Sequence, residues 1–245
     1  MSGTRRRSLS LGVCAAVALA VSLALLAVRD VSTGGDRPYD FLLWNVFLAA
    51  VPYAFAALVR VGRGRRVPWY ALVVVGAAWL LFLPNAFYIV TDFVHLDDIR
   101  GMPVWFDAAM IGSFAATGLL LGFASLRSME EVVGGFGAAS ARLLSLGALA
   151  LSAVGIYLGR VQQFNSWDVV LRPGRLAASL LVAATDPTSH TRALAITAGM
   201  GMALTLGYLV VHRRSLWQGA GHRAHPAGPG QPGRKRSDRP ARRLG

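Results

Sequence analysis

Asn85, Tyr88, Asp92 and His95 are spaced three, four and three residues apart. On a helix turning about 100° per residue they fall within about 80° of one another and make a single polar stripe. In an otherwise apolar chain such a stripe can do chemistry: a histidine serves as acid, base or ligand, and carboxylates beside it orient it or hold a cation. Asp107 follows on the next apolar segment, and Arg160, Asn165 and Asp168 come later in a polar run with Gln162, Gln163, Ser166 and Trp167. Asn45 lies at a similar depth, one turn into its own segment.

Three readings of this cluster stand side by side. It is a solvated rim, where Asp92, Asp97 and Asp98 pair with Arg100 or Arg160. It is a structural network, where Asp107 and Arg160 tie helices together and Asn85 serves backbone groups released by Pro84. Or it is a ligand or catalytic pocket, with His95 as the working group and Asp92, Asp107 or Asp168 beside it. Carboxylates with one histidine lack the second imidazole that would define a transition-metal site, so no metal and no cofactor is expected. The spacing of His222 and His225 carries no such information either. There is no phosphate loop, nucleophile elbow or zinc-protease helix. The single cysteine, Cys14, rules out an intrachain disulfide framework.

The elements that position these residues follow from composition. With 54% hydrophobic and 15% charged residues the chain is too apolar for an ordinary soluble surface. Six runs approach the roughly 20 apolar residues that cross a bilayer as a helix: 9–28, 41–59, 69–90, 104–126, 143–159 and 193–212. The fifth extends upstream to Ala138. Backbone groups in lipid must bond within their own segment, which makes each run helical. The expected fold is therefore all-α, a polytopic transmembrane bundle of six helices. Arg5, Arg6 and Arg7 before the first run also suggest a signal peptide, but the run exceeds the usual apolar core of about 7 to 15 residues and reads as a retained helix.

Charge sets the orientation. With the N-terminal segment 1–8 inside, the inner side holds 18 basic residues against three acids, and the outer side seven, Arg29 among them, against nine acids. Basic residues favour the cytoplasmic side, so both termini are expected there. The net charge of +13 thus fits membrane orientation better than nucleic-acid binding, and no nucleic-acid partner is expected. Trp69, Tyr70 and Trp105 fall at segment starts, where an aromatic belt belongs. Residues 213–245 read as a disordered basic cytoplasmic tail attracted to anionic lipid.

Packing signals complete the pattern. Gly118 with Gly122, and Gly155 with Gly159, are small-residue pairs one turn apart that let backbones approach, and Ser145 and Ser152 extend the second by sevens. Pro52 and Pro84 are expected to kink or interrupt their helices. Asp107, about three turns before Gly118, shares its face and should look toward protein. The stretch 169–192 is too short and too broken to span, and Leu176 to Ala184 is expected to lie flat at the outer interface as a lid.

Leu83-Pro84-Asn85, Tyr88, Thr91-Asp92 and His95-Leu96, then Trp105-Phe106-Asp107, then Gly155 to Arg160 and Asn165-Ser166-Trp167-Asp168 resemble the signature of a bacterial membrane family, domain-of-unknown-function family 1361. The resemblance covers roughly residues 41 to 212 and departs at Gln163 and Phe164, where a basic residue and a tryptophan are expected. It implies a multi-pass membrane protein and supplies no activity. The expectation is an integral protein of the bacterial cytoplasmic membrane, with an outward polar pocket at the ends of helices three to five that binds a ligand or partner. A membrane-embedded enzyme acting on a lipid or envelope substrate is one alternative. A structural subunit assembled with a membrane-protein partner is another. Transport fits least, because no proline in the sixth segment answers Pro84.

Overall fold

The computed structural model describes residues 3–35, 37–96, 101–185, 195 and 197–210. Five long helices dominate: α1 (Gly3–Ser32), α2 (Phe41–Gly64), α3 (Trp69–Tyr88), α4 (Val104–Val133) and α5 (Ala138–Val161). Three shorter ones follow, α6 (Asp168–Leu171), α7 (Pro173–Thr185) and α8 (Thr197–Val210). The compact unit runs from Met1 to Tyr208; of the second unit, Leu209–Gly245, only Leu209 and Val210 are described. No strand occurs among the described residues.

Five stretches, Leu11–Ser32, Phe41–Gly64, Trp69–His95, Val104–Phe136 and Ala138–Arg160, are long and apolar enough to cross a bilayer. Their outer faces fit lipid. Val13 and Val17 on α1, Val73 and Val74 on α3, and Leu143 on α5 are each 59–72% exposed, apolar surface that a soluble protein would bury. The chain is a multi-pass membrane protein. The sixth expected segment is represented by α8, which at 1.5 Å per residue reaches about 21 Å against a hydrocarbon core of about 30 Å. The remainder of that segment and the basic tail lie outside the described residues.

Glycines and prolines mark the helix ends. Gly34 and Gly35 adopt φ of 75° and 88° after α1, a left-handed conformation that stops the helix without Cβ strain. Gly137, at φ 124°, sets the sharp turn between the 3-10 turn Gly134–Phe136 and α5. Pro68 and Pro103 stand just before α3 and α4, where a missing backbone N–H leaves no bond unmade. Inside α2 and α3, Pro52 and Pro84 do not end the helix.

Several boundaries differ from the sequence reading. α1 begins at Gly3, so Arg5 to Arg7 lie within the helix, and it continues past Val28, so Arg29 belongs to its last turn and not to a loop. Arg29 is fully buried. Past Tyr88 the third segment tightens into a 3-10 turn, Ile89–His95, and α4 runs on to Val133, about two turns beyond the expected end. The α-helical angle that places Asn85, Tyr88, Asp92 and His95 on one face therefore fails after Tyr88, because a 3-10 turn advances about 120° per residue.

α4 is the central helix. It packs against α1, α2, α3 and α5, and 67% of its most apolar stretch is buried, against 17–39% for the other four. Phe114, Met110 and Ile111 are fully enclosed there. Association inside lipid has little hydrophobic drive and depends on close contact, so small residues decide where helices meet. Gly118 and Gly122 of α4 press on α3: a Cβ on Gly118 would collide with the Ala86 carbonyl, and one on Gly122 would come within 2.5 Å of the Phe87 ring. From the other side, a Cβ on Gly155 of α5 would stand 2.6 Å from Pro84, and one on Gly159 would stand 3.2 Å from Tyr88. Both glycine pairs grip the same stretch of α3, Pro84 to Tyr88.

Candidate functional site

The C-terminal ends of α1, α3 and α5 meet the N-terminal ends of α2 and α4, and the polar residues gather at this end of the bundle. They form two buried clusters. In the first, Asp92 is 1% exposed. The Asn45 amide donates to its Oδ2 at 2.8 Å, and Arg160 Nη1 lies 3.7 Å from its Oδ1. The guanidinium also donates to Tyr88 Oη at 3.3 Å and to the Thr91 carbonyl at 3.1 Å. Its Nη2 stands 3.3 Å from His95 Nε2. A guanidinium has no lone pair to offer, so a hydrogen bond in this contact has Nε2 as its acceptor. The last residue of α3, Tyr88, and the 3-10 turn with Asp92 and His95 meet one cation on α5.

The second cluster centres on Asp107, in the first turn of α4 and 1% exposed. Arg29 Nε donates to its Oδ1 at 2.8 Å and Nη2 reaches Oδ2 at 3.5 Å. Tyr39 Oη donates to the same Oδ2 at 3.3 Å, while its ring lies under the guanidinium with Cζ 4.4 Å from the centroid. Phe41 connects the clusters, with its ring 5.9 Å from Tyr39 and 5.3 Å from His95.

Beside the first cluster opens a cavity of about 670 Å³, bounded by α2, α3 and α5. α2 and α5 each pack on α3 rather than on each other, so the space is a cleft floored by α3. Trp44 and Leu151 stand on its two lips, 54% and 53% exposed. The deeper walls are apolar, with Leu48, Leu80, Leu81, Val154 and Leu158. The end nearer Arg160 is polar, with Asn45, Asn85, Tyr88 and the loop Gln163 to Ser166, and Leu176 of α7 also lines the cavity.

The profile of a family described as "Protein of unknown function (DUF1361)" matches residues 44–206, about two thirds of the chain. The chain belongs to the DUF1361 family. No curated protein and no solved structure matches it. In this DUF1361 protein the matched region contains Asp92, His95, Asp107, Arg160 and every described residue of the cleft, but neither Arg29 nor Tyr39. The cation and hydroxyl that Asp107 meets come from outside the family region.

The expected site residues of the DUF1361 chain thus divide. Tyr88, Asp92, His95 and Arg160 come together. Asn85 turns instead to Ser166 Oγ, at 2.8 Å, and to the Phe82 carbonyl, at 3.0 Å, not to the Leu80 carbonyl whose helix donor Pro84 removes. Asp168 accepts the Asn165 backbone N–H at 2.8 Å, and so folds the loop back on itself. Asp107 joins none of these. α4 does not line the cleft, which lies between α2, α3 and α5 rather than between the third, fourth and fifth helices. Arg29 and Tyr39 escape the sequence reading because both sit at segment edges; the signal that could find them is a lone basic residue ending an apolar run opposite a buried carboxylate. No group of three or more His, Cys, Asp or Glu side chains forms a metal site among the described residues.

At the opposite end, Glu130 accepts from Ser145 Oγ at 2.5 Å and Tyr208 Oη at 2.6 Å, joining α4, α5 and α8. Arg63 of α2 donates to the Val132 carbonyl nearby.

Proposed function

We propose that this protein binds an amphiphilic ligand of the bilayer in the cleft between α2, α3 and α5, the chain along the apolar wall and the headgroup at the polar end. One observation carries this reading: a single cavity joins a leucine-rich wall to a collar of amides and hydroxyls, and its exposed lips are apolar residues of helices long enough to span. Its volume falls in the roughly 300–1,000 Å³ range of small-molecule sites. The Asp92–Arg160–Asn45 cluster is a positioning element in this scheme, fixing α2, α3 and α5 around the cleft.

The reading has six helices with both termini in the cytoplasm, in the bacterial plasma membrane, so that the polar end faces outward. The basic tail then lies against anionic inner-leaflet lipid. Native mass spectrometry of the full chain tests the binding: one co-purified amphiphile is expected, and Leu151→Trp, which fills the cleft from an exposed position, should remove it at unchanged folded yield. An unchanged lipid load in Leu151→Trp overturns the reading.

A structural reading is favoured by a different observation. Every charged group of the two polar clusters is engaged across helices, as in a set of ties. On that reading the cleft variant is silent and only the ties matter.

A further inference from the structure

The cleft's own chemistry narrows its ligand, given the amphiphile reading above. We propose that the headgroup it takes is uncharged and rich in hydroxyls, that of a sugar-bearing lipid rather than a phosphate. The polar collar consists of Asn45, Asn85, Tyr88, Gln163, Asn165 and Ser166, side chains that can donate and accept but hold no charge. None of the described lining residues is ionic.

Arg160, which follows the lining residue Gly159 and bonds the lining residue Tyr88, is committed to Tyr88 Oη, the Thr91 carbonyl, His95 and Asp92. A phosphate that captured this guanidinium would strip a buried carboxylate of its counter-charge, a change that opposes binding. A hydroxyl-rich ring makes no such demand. It exchanges hydrogen bonds with amides in both directions, and its C–H faces pack on flat aromatic surfaces of the kind Trp44, Tyr88 and Phe164 bring to the lining. Along α3 the lining runs from Ala77 to Tyr88, about 16 Å at 1.5 Å per residue. That length accommodates one extended chain beneath the ring.

Photolabelling of the full chain in phosphatidylcholine nanodiscs tests this. The probes are a diazirine-bearing alkyl glucoside and an alkyl phosphate of the same chain, with labelled peptides located by mass spectrometry. The glucoside should label the peptides of Leu81 and Val154 about tenfold more than the phosphate at equal concentration, a difference of about 1.4 kcal/mol. Octyl glucoside should compete, and free glucose should not. Asn85→Leu should reduce labelling severalfold; Ser166→Ala, a gentler change at the same collar, should do so where Asn85→Leu folds poorly.

Equal or stronger cleft labelling by the phosphate overturns the uncharged headgroup and leaves the amphiphile reading standing. Displacement by free glucose as effective as by octyl glucoside overturns the amphiphile reading and keeps the headgroup chemistry. Labelling by neither probe above that of the lipid-facing surface of α1 overturns both.

Discussion

Arg29 and Asp107 meet Nε to Oδ1 at 2.8 Å with side chains 0% and 1% exposed, so the end of α1 is bonded to the start of α4 across 78 residues of sequence. Removing one partner strands a buried charge, at a cost of about 3–5 kcal/mol, whereas replacing both by apolar groups of like volume is often neutral. Asp107→Ala and Arg29→Ala should therefore each lower the unfolding midpoint strongly. The double variant Arg29→Met with Asp107→Leu should recover most of the loss. Denaturant titration in detergent decides it, and a double variant less stable than both singles contradicts the assignment. The same bond predicts that protein extracted from membranes carries α1, which intact mass reads directly.

Glycine packing supplies a graded series. Gly122→Ala and Gly155→Ala drive a methyl into Phe87 and Pro84, and overpacking of this kind costs about 1–3 kcal/mol. Gly147→Ala, on α5 with nothing within 4 Å, should be neutral or stabilising by up to about 1 kcal/mol through helix propensity alone. A thermal-shift comparison of the three in one detergent is sufficient. Equal effects would show that the grip on α3 is not what the glycines provide.

Arg160→Lys should not preserve the first cluster. One ammonium cannot reproduce the guanidinium's fork to Tyr88, Thr91 and His95 while facing Asp92, so a loss approaching that of Arg160→Ala is expected in the denaturant midpoint. Nitrogen-15 spectra of labelled His95 provide a second readout: Nε2 should show the accepting, unprotonated shift in the parent. It should move in Arg160→Ala.

Tyr208→Phe should lose about 1.5–3 kcal/mol, the range for a hydrogen bond to a charged group, if the Glu130 contact seats α8 on α4. A double-mutant cycle with Glu130→Gln isolates that bond. Additive losses would mean that the two side chains do not interact.

Segment length and apolar composition made the helical bundle legible in the sequence, because each reflects a requirement of lipid on a single stretch of chain. At Gly118, Gly122, Gly155 and Gly159 an added Cβ would press on α3 or its end, at Ala86, Phe87, Pro84 and Tyr88 respectively. The site was half legible. Tyr88, Asp92 and His95 could be grouped because they are local, and Arg160 because it ends the next-but-one segment. Which carboxylate Arg160 meets depends on how α4 and α5 are arranged about α3, which no periodicity encodes. Asp107 found Arg29 instead. The change to 3-10 geometry at Ile89 was equally hidden, since nothing in Ile89–His95 distinguishes a tighter turn from a continuing helix.

The grip on Pro84 to Tyr88 has a consequence for how fast and how readily the cleft fills. With Gly155 and Gly159 against one side of this stretch and Gly118 and Gly122 against the other, the floor of the cleft has no room to rotate or slide. For the ligand proposed above such a floor is preorganised: occupancy would require no backbone rearrangement, and affinity would not be diminished by one. On the proposed amphiphile reading, entry would then be governed by lateral diffusion within one leaflet, and ordinary bilayer lipid would occupy the cleft whenever the proposed ligand is scarce. Selectivity would then rest on exchange between neighbours in the same plane, a competition that the composition of the surrounding membrane sets.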